Sequence, residues 1–329
     1  MVSIANGARN SALRYSRVMA KLRDKIGRRL PNAAPQPVGK KIVLEDSDWL
    51  MFAASFRHGP LPMPYMHEFG RRGNENSTNR RLKKLYNGAE GSRPYLTRPK
   101  EKRNSFYVHD EHLVYDLTAS ALAILLERGM LERYTLKRTD HFLHRLFLAC
   151  ISASIELACL RAGYEYFSEH TIISNDRCPE GTRNSSAPAT IIGAGVLVVP
   201  DDLFGIHFQD RYGFFVLEAD RGTESLTRSD LKQTSLYQKL TAYLEILRRR
   251  TYQTRWGISN LRILIVTTSK HRALNMIELL RQMNDPLTAK FLVAVETSMG
   301  PEWRVPSKIW YHLFHGAWLT VNGDAYIDR

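Results

Sequence analysis

The chain has 329 residues, 43% of them hydrophobic and 24% charged, which allows two domains with a sizeable core. Forty-seven Lys and Arg against 33 Asp and Glu leave a net charge of +14, which argues for a polyanionic partner, nucleic acid ahead of an acidic membrane surface. Three scattered cysteines (Cys150, Cys159 and Cys178) exclude a zinc ribbon and a disulfide framework and fit a reducing cytoplasm. With no run of about 18 apolar residues, no transmembrane helix is expected, and the basic N-terminus lacks the apolar stretch of a secretory signal.

Residues 1–41 read as a basic arm. Arg14, Arg17, Lys21, Arg23, Lys25, Arg28 and Arg29 can share one amphipathic helix with Leu13, Val18, Leu22 and Ile26, and the Pro-rich stretch Pro31–Pro37 reads as a linker. Residues 42–135 form the first domain. Helical patterns are predicted over Ser47–Arg57, with Trp49, Leu50, Phe52, Ala53 and Phe56 inward, over Pro62–Phe69, and over Ser77–Tyr86 behind an Asn-Ser-Thr cap signal. Two strand-like pieces follow, Arg93–Arg98 and Ser105–His109, joined by the charged turn Pro99–Asn104. Three helices and a two-stranded ribbon are the order of a winged helix-turn-helix.

Charge concentrates there. From Phe69 to Asn104 stand eleven Lys or Arg against three acids, more than half of the chain's excess. A charge run is usually a solvated face, but this one coincides with a recognition-helix position and a wing tip. The expected contacts with double-stranded DNA are Arg71, Arg72, Asn76, Ser77, Asn79, Arg80, Arg81, Lys83, Lys84, Arg98, Lys100, Lys102 and Arg103. Asn76, Ser77, Asn79 and Arg80 are placed to read base edges, and the lysines to hold phosphates.

A connecting helix over Thr118–Arg128 ends at Gly129. Asp140 is predicted to cap a long helix, His141–Ala162, that Gly163 terminates. A strand over Tyr164–Ile173 and a loop rich in Asn, Ser and Pro, Ser174–Ala189, come next. Two apolar runs then close in acids: Gly195–Asp201 and Gly213–Asp220. A helix over Leu231–Arg249, a strand over Leu261–Thr267, a helix over Lys270–Met283 and a strand over Lys290–Val295 complete residues 136–329 as a mixed sheet flanked by helices. Trp303, Trp310 and Trp318 in the tail read as packing residues. The overall class is α+β. Gly193-Ala-Gly195 is too short for a phosphate loop, and His109, His141 and His144 lack metal-ligand spacing, so His144 reads as a helix-surface or capping residue.

Asp201, Glu218 and Asp220 carry the chemistry. A carboxylate at the end of an apolar run is costly unless a cation compensates, and a hard divalent metal is one compensation for two or three converging acids. Glu218 and Asp220 lie on the same face of a strand, so they repel unless a cation lies between them. The bland alternative is a salt-bridge pair with Arg221.

Helix, strand, Pro200-Asp201, Glu218-Ala-Asp220 and then a helix carrying Lys resemble the PD-(D/E)xK nuclease superfamily, whose fold is restriction-endonuclease-like. The resemblance implies that Asp201 and Glu218 hold Mg²⁺ or Mn²⁺, with Asp220 supporting the metal. The family's lysine position is 220, which holds an acid here. Lys239 is the implied replacement and Lys232 the second choice. The run Gln238-Lys-Leu-Thr-Ala-Tyr243 resembles the helix motif of RecB-type nucleases, where Gln and Tyr line the site. Glu156 is a further accessory acid on this reading, and Glu169 a weaker one.

Taken together, the helical unit, Val-Pro-Asp-Asp-Leu-Phe204, the run Glu218-Ala-Asp-Arg-Gly-Thr-Glu224 and Lys239–Tyr243 resemble the replication-relaxation family over roughly residues 43–295. That family is associated with plasmids and other mobile elements. The resemblance implies a cytoplasmic protein of plasmid replication or DNA processing, with a nicking nuclease domain, a homodimeric state and replication or conjugation proteins as partners. The alternative is a non-catalytic DNA-binding regulator or replication accessory whose nuclease-like domain serves dimerisation.

Overall fold

The computed structural model describes residues 35–37, 39, 41–99, 112–131, 141–222, 236–301 and 303–328. Most of the expected basic arm, the strand Ser105–His109, Lys100, Lys102, Arg103, Asp140 and Lys232 lie outside the described residues.

The first helix, α1 (Asp46–His58), begins where the side chains of Glu45 and Asp48 close a capping box, and Asp46 and Asp48 complement its positive end. It buries Trp49, Phe52 and Phe56, whereas Leu50 is exposed and Ala53 only half-buried, because the helical period turns those two away from the buried stripe. β1 (Leu61–Pro62), α2 (Met63–Gly70) and α3 (Glu75–Asn87) follow. Helix α3 starts earlier than the sequence suggests, because Asn74, not the Asn-Ser-Thr run, accepts the Ser77 amide at 2.8 Å. β2 (Leu96–Thr97) pairs antiparallel with β3 (Val114–Leu117), and β3 also pairs with β1, so the small sheet runs β1-β3-β2. The described partner of the first ribbon strand is therefore Val114–Leu117. Thr118 caps α4 (Ala119–Glu127) through the Ala121 amide, and Gly129, at φ 66°, ends it.

The long helix α5 (Phe142–Arg161) follows. Contrary to the expectation that no segment would suit a membrane, α5 is by length and composition apolar enough to cross one, yet 72% of that stretch is buried inside the fold. Cys150 and Cys159 are among its buried residues. The strand expected through Ile173 stops early. β4 (Glu165–Phe167) gives way to α6 (Glu169–Ser174) because the Ser168 side chain accepts the Thr171 amide and starts a helix. A short helix, α7 (Glu180–Arg183), interrupts the expected loop.

β5 (Ile191–Gly193) and β6 (Val196–Val198) make a separate hairpin. Its turn residues Ala194 and Gly195 both have positive φ, 50° and 74°, as a tight two-residue hairpin turn demands. At Gly193 a Cβ would lie 2.1 Å from the Ala242 carbonyl, so only glycine lets the hairpin dock there. The run ending in Asp201 is thus not one strand of the main sheet. Pro200, with no N–H to donate, separates β6 from β7 (Asp202–Phe208), and Asp201 precedes β7.

β8 (Arg211–Asp220), α8 (Leu236–Arg249), α9 (Thr251–Trp256), β9 (Arg262–Thr267), α10 (Lys270–Gln282), β10 (Phe291–Val295), α11 (His312–His315), β11 (Trp318–Thr320) and β12 (Gly323–Ala325) complete the described elements. The main sheet is mixed, in the order β12-β11-β10-β9-β8-β7-β4, with β8, β9 and β10 parallel and the other pairs antiparallel. Alternate strand residues feed two cores. Phe204, Phe215, Leu217 and Leu264 pack toward α5, in a cluster continuous with the α1–α3 unit. Leu203, Val216, Ile263 and Ile265 pack toward α8 and α10. Trp310 and Trp318 are buried, whereas Trp303 is half-buried with a left-handed φ of 52°.

Candidate functional site

The antiparallel register of the β7/β8 hairpin pairs Asp202 with Leu217, which sets Asp201 across from Glu218 one step further on. The Ala219 amide donates to Asp201 Oδ2 at 2.8 Å and seals that end of the hairpin. Two helices converge from opposite faces of the sheet. From α5, His144 Nε2 lies 3.1 Å from Asp201 Oδ1. From α8, Lys239 Nζ donates to Glu218 Oε2 and the Tyr243 hydroxyl to Glu218 Oε1. Lys239 and Tyr243 are four residues apart, one above the other on a helix face. Asp201, Glu218, His144, Lys239 and Tyr243 line one cavity of about 270 Å³.

Burial governs the charges. It pushes the Glu218 carboxyl up to about 7, against the pull of Lys239 and with the help of the neighbouring Asp201 charge. Asp201 is buried too, yet the His144 hydrogen bond and the Lys239 charge hold it below the usual carboxylate range. Burial lowers the His144 imidazole, but the hydrogen bond to Asp201 and its charge together hold it above the ordinary imidazole value. Burial and the Glu218 charge raise the Tyr243 phenol far up, so it remains a donor. The site is therefore an ionised Asp201–His144 pair beside a carboxyl poised near neutrality.

Among the described residues, no three His, Cys, Asp or Glu side chains come together as a metal-ligand set. Mg²⁺ is commonly held by one or two carboxylates, with waters and substrate phosphates completing its shell. Asp201 and Glu218 fit that requirement, and the elevated proton affinity of Glu218 marks a place where added positive charge would be favourable.

Asp220 lines the same cavity, but its carboxylate is committed to other partners. Its carboxylate is bidentate with Arg272, which donates from Nη2 to Oδ1 at 2.9 Å and from Nε to Oδ2, and it accepts from Thr267 Oγ1 at 2.8 Å. The same bonds overturn the alternative pairing of Glu218 and Asp220 with Arg221. Glu156 is not a site acid either. It sits at 5% exposure against Arg57 and His58, tying α5 to the end of α1. Glu169 faces a different cavity, where burial raises its carboxyl well above the usual range. Gln238 is half-buried and does not line the carboxylate cavity. His144, read as a surface or capping residue, is the member that sequence reasoning missed. Only the packing of α5 against the hairpin brings it to Asp201, and no local pattern signals it.

On α3, Asn76, Arg80, Lys83 and Lys84 are exposed and follow helical spacing along one stripe. Asn79 is half-buried, and so is Ser77, which serves the helix cap. Arg81 turns inward, contrary to expectation. It is 8% exposed, donates to the fully buried Asp48 and to the Val43 carbonyl, and so belongs to the core. The helix period places it on the stripe of Thr78 and Leu85. Arg71 is exposed at the end of α2, Arg72 is bonded to Glu45 at 2.8 Å and to Ser47, and Arg98 stacks on Tyr86 with its guanidinium carbon 4.0 Å from the ring centre.

Comparison with curated proteins and with solved structures gave no match. The sequence model of the replication-relaxation family matches residues 58–261, which run from the end of α1 to the threshold of β9 and include α3, Asp201, Glu218, Lys239 and Tyr243. With well over half of its length inside that match, the chain belongs to the replication-relaxation family, a membership that suggests a role in replication or processing of a plasmid or other mobile element.

Proposed function

We propose that this chain is a cytoplasmic duplex-DNA-binding protein of plasmid or mobile-element replication, whose mixed-sheet unit nicks DNA with Mg²⁺ or Mn²⁺. One observation carries the reading: Asp201, Glu218, Lys239 and Tyr243, distant in sequence, meet in one cavity at the end of the β7/β8 hairpin. Helix, parallel β8 and β9, and an acid pair across a hairpin support a PD-(D/E)xK arrangement. The order helix, strand, helix, helix, strand, strand, with β3 central, supports a winged helix-turn-helix for the first unit. Its recognition element is α3, whose exposed stripe of Asn76, Arg80, Lys83 and Lys84 faces the duplex.

Asp201 and Glu218 would hold the metal. When bound, Mg²⁺ supplies Lewis-acid charge to a phosphoryl oxygen and acidifies water. Lys239 stands beside both acids and neutralises charge that develops on the phosphate, while Tyr243 fixes the Glu218 carboxyl and His144 orients Asp201. The lysine offered from α8 thereby occupies the role that Asp220, committed to Arg272, cannot fill.

The test is Asp201→Ala, assayed for nicking of supercoiled plasmid in Mg²⁺ or Mn²⁺ and for binding of a fluorescent duplex. Nicking should fall to background with affinity intact; a variant that nicks at the parent's rate overturns the assignment. A second reading is a non-catalytic replication accessory. It is favoured by a specific feature: each carboxylate oxygen of Asp201 and Glu218 already has a donor within the protein. A parent protein that binds duplex but leaves supercoiled, linear, forked and single-stranded DNA uncut with either metal selects that reading.

A further inference from the structure

The cations around the carboxylate cavity are not all matched. His144 pairs with Asp201, Lys239 with Glu218 and Arg272 with Asp220. Arg221 lines the same cavity and, among the described residues, has no ion pair. Its Nε is buried and lacks a hydrogen-bond partner among the described residues. A buried donor left unmade is unfavourable, and a cation so placed calls for an acceptor that the described chain does not supply.

The side chain is nevertheless held in place. Its guanidinium carbon lies 4.5 Å from the centre of the Trp303 ring. Trp303 is itself braced edge-on by Phe147 of α5, at 5.6 Å and 85°. Its backbone adopts the left-handed conformation, φ 52°, a costly choice for a bulky residue that persists where surrounding structure enforces it. Stacking occupies the flat face of a guanidinium and leaves its in-plane N–H groups free to form a fork. Arg221 follows the last residue of β8, and its contact with Trp303, which packs on Phe147, places it on the α5 side of the sheet. It lines the cavity together with His144 and Asp201.

A metal cannot answer a spare cation; an anion can. Planar, bidentate recognition suits phosphate. We infer that Arg221, on its Trp303 platform, is a phosphate clamp that grips a backbone phosphate of the nucleic acid beside the Asp201–Glu218 pair. The inference rests on the nucleic-acid reading above. It adds the residue that positions the strand, and it does not depend on cleavage.

The experiment measures affinity of the full chain for a fluorescein-labelled duplex in EDTA, by anisotropy, across a series of KCl concentrations. Loss of one phosphate contact reduces the slope of log affinity against log salt by about one unit. Arg221→Gln should show that loss, with affinity weakened alike on unrelated duplex sequences, while Arg221→Lys should retain the slope as a point charge. In the parent protein, duplex should shield Arg221 from phenylglyoxal, read by peptide mass, which keeps the test independent of whether the Gln variant folds. An unchanged slope in Arg221→Gln, or equal modification of Arg221 with and without duplex, overturns the clamp. Absence of any duplex binding by the parent overturns the nucleic-acid reading instead.

Discussion

Replacing Glu156 by glutamine probes how the α1–α3 unit is fastened to the sheet. Glu156 lies on α5 at 5% exposure, and Arg57 and His58, at the end of α1, both bond to it; Arg57 Nε is 3.0 Å from Oε2. Burial alone would raise its carboxyl, but the Arg57 charge and the His58 bond overcome it and bring the value down from 4.5 to about 2. A drop of that size corresponds to roughly 3 kcal/mol of folding free energy. The sign follows from linkage. The folded-state value is depressed, so the stabilisation is complete above about pH 4.5 and disappears as pH falls toward 2. Glu156→Gln removes the charge and leaves the Arg57 guanidinium and the buried His58 facing an amide. Urea unfolding at pH 7, 5, 4 and 3 should show the variant about 3 kcal/mol less stable at pH 7, with the gap narrowing below pH 4.5. A gap that does not change with pH, or one below about 1 kcal/mol at pH 7, would refute the assignment of Glu156 as the ionised junction.

Further outcomes are expected. Arg81→Ala strands the fully buried Asp48 without its partner and should cost about 3–5 kcal/mol in denaturant unfolding. Arg80→Ala on the exposed stripe should instead weaken duplex binding with the unfolding midpoint unchanged, and reversal of this contrast refutes the inward placement of Arg81. Glu218 titrates near 7, above its ordinary 4.5, so in the metal-free protein its contribution to stability is present below pH 4.5 and is lost as pH rises through 7. Nicking that needs the Glu218 carboxylate should rise through the same range, and Lys239→Met, which removes the charge opposing burial, should move that rise to higher pH. A pH–rate profile unchanged by Lys239→Met would show that Lys239 does not act on Glu218.

Local pattern carried a good part of this protein. The 3.6-residue repeats of α1, α3, α5 and α8 and the apolar runs of β8, β9 and β10 were legible, because side-chain periodicity directly reflects burial on one face or two. The place of Lys239 and Tyr243 at one site was implied by the family resemblance, and their four-residue helical spacing realises it. Boundaries failed where a single residue redirected the backbone: the capping side chains of Asn74 at α3 and Ser168 at α6, and Pro200, without an N–H, between β6 and β7.

By itself the sequence determined the charge concentrated between Phe69 and Asn104, the α+β class and the acid-ended run of β8, since these depend on composition and on neighbours along the chain. β7 and its hairpin with β8 were not legible, because Asp201 read as the end of the preceding run. Only the tertiary structure decided what each charge faces. Arg81 is a core residue because Asp48 lies beneath it, and Asp220 is a closed ion pair because Arg272 reaches it from α10. His144 belongs to the site because α5 packs on the hairpin, and among the described residues Arg221 is left without an acid once the other cations have found theirs. An ion pair between residues far apart in sequence has no local signature. Its energy depends on distance and burial, and folding alone sets both.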